Sequence, residues 1–94
     1  MSDTKPGVVV YATQTCPYCT MARRLLDDKG VQYTLIDVGR DRALWQEMEA
    51  LSGRSTVPQI FIGETHVGGC DDLHALEARG ELDKLLEQEG ISHE

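Results

Sequence analysis

Cys16 and Cys19 stand two residues apart, with Pro17 and Tyr18 between them, in a chain of 94 residues and three cysteines. Side chains at i and i+3 share a helix face, so two thiols at this spacing can meet and close a disulfide. A thiol at a helix start also lies beside unpaired backbone N–H groups and the positive end of the helix dipole, which favour thiolate over thiol. Pro17 suits the first helical position, where its fixed φ fits and its missing N–H is not needed. The chemistry open to such a pair is thiol–disulfide exchange. Other uses of paired cysteines fit less well. Zinc generally takes four ligands, and only Cys70 and the scattered His66, His74 and His93 remain, without ligand spacing. Those histidines read as surface or packing residues. A structural bridge across two intervening residues would close a tiny loop and constrain the unfolded chain little.

The elements around the pair are those that exchange chemistry requires. Val8-Val9-Val10-Tyr11-Ala12 is a short apolar run of the kind found in a buried strand. From Pro17 to about Lys29, Met21, Ala22, Leu25 and Leu26 form one helical stripe, with Arg23, Arg24, Asp27 and Asp28 opposite and Gly30 as the stop. Residues 31–38 read as a second strand. The connecting helix makes a βαβ unit, and its right-handed crossover makes the two strands parallel. Residues 41–52 return to helical spacing through Ala43, Leu44, Met48 and Leu51, with the single tryptophan, Trp45, off that stripe. Gln59-Ile60-Phe61-Ile62 and Thr65-His66-Val67 flank Gly63-Glu64 as a hairpin. A helix over 71–79 opens with Asp71-Asp72, and a last short helix carries Leu82, Leu85 and Leu86. The expected architecture is α/β: a single domain over 1–94, a mixed four-stranded sheet flanked by helices, with flexible tails at 1–7 and about 88–94. A paired-cysteine motif beside a βαβ unit reads as a thioredoxin-like fold.

Bulk composition narrows the function classes. The formal charge of −7 argues against a nucleic-acid surface, and no stretch approaches the roughly 18 apolar residues of a membrane span. An anionic substrate would need local cations to hold it. Residues 1–7 lack the apolar core of a secretion signal. Three cysteines without such a signal point to the cytoplasm and to catalytic use of the thiols.

Three motifs, Thr15-Cys16-Pro17-Tyr18-Cys19, Thr56-Val57-Pro58-Gln59-Ile60-Phe61-Ile62 and Gly68-Gly69-Cys70-Asp71-Asp72-Leu73, occur in this element order. Together they make the chain resemble a bacterial dithiol glutaredoxin, from Val8 to about Leu86. The resemblance implies a glutathione-dependent oxidoreductase that reduces protein disulfides and protein–glutathione mixed disulfides. Cys16 would be the nucleophile and Cys19 the resolving thiol, with glutathione as co-substrate and no metal. It further implies a cis Val57-Pro58 bond facing the Cys16 sulfur, and a Val57 backbone that pairs with the cysteinyl unit of glutathione. Tyr18, Thr56 and Pro58 would shape the groove. Gly69 would admit the ligand, the amides of Cys70 and Asp71 would hold the γ-glutamyl carboxylate, and the Asp71 side chain would meet its ammonium. One of the two aspartates could cap the helix while the other binds. Cys70 itself reads as a buried apolar residue, or else as a glutathionylation or dimerising site.

This chain departs from the family pattern in two places. Thr13 stands in the glutathione site where many members have lysine, and Trp45 stands where Arg or Gln is common. Among Gln46, Arg42 and Arg54, Arg54 is the candidate replacement cation, and weaker glutathione binding than in lysine-bearing relatives is expected. The implied partners are glutathione, glutathionylated or disulfide-containing proteins and, indirectly, the glutathione reductase system, for a monomer without nucleic-acid or membrane binding. Two other readings stay open: a disulfide reductase fed by thioredoxin reductase, and an iron–sulfur carrier sharing a cluster through Cys16 and glutathione. Pro17 counts against the second, since carriers of that type usually have glycine or serine after the first cysteine.

Overall fold

The computed structural model describes residues 7–91 and 93. Its elements run β1 (Val8–Ala12), α1 (Pro17–Asp28), β2 (Tyr33–Asp37), α2 (Arg42–Ser52), β3 (Gln59–Ile62), β4 (Thr65–Gly68), α3 (Cys70–Ala78) and α4 (Glu81–Gln88). Strand order in the sheet is β2-β1-β3-β4. β1 pairs parallel with β2, as a βαβ crossover demands, and antiparallel with β3, which turns through Gly63 (φ 60°) into β4.

Alternation along the strands separates two cores. Val8, Val10, Ala12, Ile60 and Ile62 pack with Cys19, Ala22 and Leu26 of α1, Cys70 and Leu73 of α3, and Leu82 and Leu86 of α4. On the opposite face Tyr11 and Val38 pack with Met48 of α2, and Val9, Leu44, Trp45 and Phe61 join them partly buried. Side chains one residue apart on a strand point to opposite faces, so a five-residue β1 serves both layers. Among the described residues α2 alone covers the second face, and Leu51 at its last turn stays exposed while Trp45 packs inward.

The second strand starts later than the residue pattern predicts. Gly30 takes φ 69°, its N–H donates to Asp27 O at 3.0 Å, and the Val31 N–H donates to Leu26 O at 3.0 Å. That is a Schellman closure. Val31 is therefore spent ending α1 and packs beside Leu26 instead of opening β2. Backbone hydrogen bonds reach into both segments expected as tails. Gly7 accepts from the Gly63 N–H at 2.9 Å, and Ile91 donates to Leu86 O at 2.9 Å while packing on the larger core. Residues 1–6, where most of the first predicted tail falls, lie outside the described residues. The end of α1 is clamped to α3 and α4 by charge. Lys29 Nζ, at the end of α1, lies 3.0 Å from Glu77 Oε1 of α3 and 2.8 Å from Asp83 Oδ1 of α4. No helix among the described residues is long and apolar enough to cross a membrane.

Candidate active site

The parallel strand β1 runs into a turn at Thr13–Thr15 and delivers Cys16 as the N-cap of α1. Cys16 has extended backbone (φ −93°, ψ 115°), and its Sγ accepts the Cys19 N–H at 3.2 Å. Serine or aspartate oxygens usually do this at helix starts; here a sulfur does. An amide donor aimed at the sulfur, at the positive end of a helix, is what a nucleophilic and departing thiolate needs. Cys16 Sγ also lies 3.9 Å from the carbonyl oxygen of Val57. The Val57–Pro58 peptide bond is cis, as the resemblance implies.

Cys19 is the opposite kind of thiol. It is 1% exposed. Burial, then its hydrogen bond with Cys16, push it up to about 12, against an opposing pull from hydrogen bonds with Thr13. Cys70 is buried as well; loss of hydration raises its thiol above the ordinary range, and the nearby Asp71 carboxylate acts the same way. Cys16, Cys19 and Cys70 are all free thiols in this structure. Among the described residues no three His, Cys, Asp or Glu side chains gather in a metal-holding group.

Beside Cys16 opens a cleft of about 210 Å³ lined by Tyr18, Arg54, Thr56, Val57, Pro58, Gly69, Cys70, Asp71 and Asp72. Three chain segments thus converge: the first turn of α1, the loop before β3, and the β4–α3 junction. Tyr18, 58% exposed, lines one side of the cleft. The first-turn amides of α3, those of Cys70 and Asp71, have no acceptor within the helix and belong to the cleft wall.

Of the residues expected to bind glutathione, Thr13 alone falls outside the lining of this cleft. It lines a separate hollow of about 130 Å³ with Ala12, Gln14, Arg23, Leu35 and Asp37. Its place at the end of β1 brings it against the buried Cys19 thiol instead.

Asp72 is the cleft residue that the assignment of ligands passed over. Its carboxylate accepts the Gly69 N–H at 3.0 Å and sits 3.2 Å from the Arg54 guanidinium. The amide bond and, more weakly, Arg54 hold Asp72 below the usual carboxylate range. This is one half of a capping box, the only half possible when the N-cap is glycine. The spacing Gly69-x-x-Asp72 was the available signal. Of the two aspartates, both on the cleft, Asp72 takes the cap and Asp71 stays exposed.

Gly68 makes that cap possible. Its φ is 117°, and a Cβ there would run into the Asp72 carboxylate. Gly68→Ala is expected to cost about 1–3 kcal/mol through the strained backbone alone. Urea denaturation should show a lowered midpoint at unchanged slope.

The comparisons with known proteins meet this geometry. The Glutaredoxin family model matches residues 8–67, which include β1, the cysteine pair and the cis-proline loop. The chain belongs to the glutaredoxin family. It is 56% identical over 81 residues to the glutaredoxin of Pseudomonas aeruginosa, covering 86% of this chain and 96% of that one. It is 52% identical over 80 residues to glutaredoxin 3 of Escherichia coli, covering 85% and 96%. Among solved structures, the buckwheat glutaredoxin–glutathione complex superposes with TM-score 0.82 at 31% identity, over 88% of this chain and 78% of that one. The Brucella melitensis glutaredoxin superposes with TM-score 0.77 at 50% identity, over 89% and 91%. The thioredoxin-like fold and the thiol–disulfide oxidoreductase class follow from these likenesses together with the paired cysteines of this glutaredoxin.

Proposed function

We propose that this glutaredoxin is a glutathione-dependent reductase of protein–glutathione mixed disulfides and of protein disulfides, acting in the cytoplasm. The observation that carries the reading is the adjacency of Cys16 Sγ to the Val57 wall of the cleft. The Val57 carbonyl stands 3.9 Å from the sulfur, and unpaired amides of a helix N-terminus lie further along. The buckwheat relative was solved with glutathione bound, which supports the same occupant here.

In this reading the Val57 backbone pairs with the cysteinyl unit in the manner of an added strand. The Cys70 and Asp71 amides receive the γ-glutamyl carboxylate, Asp71 faces its ammonium, and Tyr18 covers the groove. The Cys16 thiolate attacks the glutathionyl sulfur of the substrate. The Cys16–glutathione bond forms, the protein–glutathione bond breaks, and the released protein thiolate takes a proton from solvent. A second glutathione thiolate then attacks the glutathionyl sulfur, leaving oxidised glutathione and a regenerated Cys16 thiolate. Alternatively Cys19 gives up its proton and attacks Cys16 Sγ. Glutathione departs, and the resulting Cys16–Cys19 disulfide is reduced by two further glutathiones.

Energetics favour glutathione over thioredoxin reductase as the electron source. Glutaredoxins as a class lie roughly 40–70 mV above thioredoxin, about 2–3 kcal/mol for two electrons. The deciding assay is reduction of a glutathionylated peptide and of hydroxyethyl disulfide by glutathione with glutathione reductase. Turnover by thioredoxin reductase alone would assign the chain to the rival system.

Arg54 serves in this reading as the local cation that a chain of charge −7 needs. Its pairing with Asp72 aims the guanidinium along the cleft wall. Arg54→Ala is expected to raise KM for the glutathionylated substrate about tenfold, the lower end of the scale of one charged hydrogen bond. Turnover at saturation should stay near the parent value.

A further inference from the structure

We propose that His66 is a positioning residue for the cleft: through the buried carboxamide of Gln59 it holds Thr56, and with it the Val57 backbone beside Cys16. The proposal rests on the reading of the cleft given above.

Gln59 is the one buried polar side chain among the described residues, at 0% exposure. Its Nε2 donates to the Thr56 carbonyl oxygen at 3.0 Å and to the Thr56 Oγ1 at 3.2 Å. A carbonyl can only accept, so the amide group faces Thr56 and Oε1 points the other way. That oxygen meets His66 Nε2 at 2.8 Å. The ring must therefore carry its proton on Nε2 and donate. The carboxamide spends both hydrogens on one residue of the loop, and its only acceptor is met by the neighbouring strand.

The β3–β4 ladder explains how His66 comes to that place. Ile60 pairs with Gly68 but Phe61 pairs with His66, so the register slips by one residue between them. In a regular ladder His66 would fall opposite Ile62 and share its face, the one packed on α1 and α3. One inserted residue flips the side chains beyond it to the other face. His66 is thereby turned toward Gln59 and stacks on Phe61, with ring centroids 4.9 Å apart, while Phe61 meets Tyr11 edge-on at 5.7 Å. The ring stack fixes the imidazole plane. Burial, and then the Arg54 guanidinium, hold His66 below the ordinary imidazole range, with Asp72 pulling the other way. A neutral ring keeps its single donor on Gln59 without adding charge beside the Arg54–Asp72 pair.

The test uses the full chain with two variants. His66→Phe keeps the ring stack and deletes the donor; His66→Gln restores a donor at nearly the same reach. His66→Phe should raise KM for a glutathionylated peptide about tenfold, the scale of an unpaired buried acceptor. Its kcat and its rate of Cys16 alkylation should stay within about twofold of the parent, and His66→Gln should recover most of the KM. Amide hydrogen exchange at Thr56 and Val57, read without substrate, should accelerate in His66→Phe and not in His66→Gln. Unchanged KM and unchanged exchange in His66→Phe would overturn the proposal, as would His66→Gln failing in step with His66→Phe. If the parent itself does not turn over glutathionylated peptide, the reading of the cleft fails, while the exchange measurement still decides whether His66 holds Thr56.

Discussion

Cys16→Ser is expected to abolish reduction of glutathionylated peptide, with a loss of at least about a thousandfold in kcat/KM. A hydroxyl at the N-cap would still accept the Cys19 N–H, as serine commonly does there. The helix start should survive, and the melting temperature should move little. What disappears is the nucleophile, because an alcohol neither ionises usefully nor forms a sulfur–sulfur bond. Neither remaining thiol can substitute. Cys19 is buried and pushed up to about 12. Cys70 is buried within the larger core and raised by lost hydration. Residual activity within tenfold of the parent would mean that one of these thiols carries the chemistry, and the assignment of Cys16 would fall.

Cys19→Ser should split the two activities. Deglutathionylation is expected to stay within about twofold of the parent, because glutathione can resolve the intermediate itself. Reduction of protein disulfides through the dithiol route should be lost. The reason lies in which atom of Cys19 does what. Its backbone N–H supports Cys16 Sγ at 3.2 Å and is untouched by the substitution, whereas its Sγ acts only in resolution. Equal loss of both activities would show instead that Cys19 Sγ is needed for the first attack.

The same thiol makes the parent sensitive to alkali. Cys19 ionises near 9.0 when unperturbed and at about 12 in the fold. Its neutral form therefore stabilises the native state below about pH 9, and that contribution is lost as pH rises toward 12. Cys70 and Tyr11, both raised by burial, act in the same direction. Denaturation midpoints recorded between pH 8 and 11 should fall less steeply for Cys19→Ser than for the parent.

Local signals in the residue pattern made most of the fold legible. The valine run, the Gly30 helix stop and the Gly63 turn each act within a few residues, and each appears where expected. The missed boundary at Val31 is instructive. A β-branched residue after a left-handed glycine can open a strand or close the helix before it, and packing against Leu26 decides for closure. In the site, residues that act on their own sequence neighbours were equally legible: Cys16 with Cys19, and the Gly68-Gly69 junction before α3. Asp72 was half visible, since an acidic residue three positions after an N-cap has a local reason to be there.

Thr13 and His66 show where local reasoning stops. Thr13 precedes Cys16 by three residues, yet the end of β1 turns it toward Cys19 and away from the cleft. His66 had no pattern to mark it, because its role depends on a one-residue slip between β3 and β4 and on a carboxamide that reaches it across strands. The cysteine pair, the helix that receives it and the succession of elements along the chain were readable from residues alone, because interactions between sequence neighbours govern them. Only the packed tertiary structure settled which aspartate caps and which polar groups meet across the sheet. Burial and strand register are properties of the packed sheet, and a single residue of register reverses the face on which every later side chain lies.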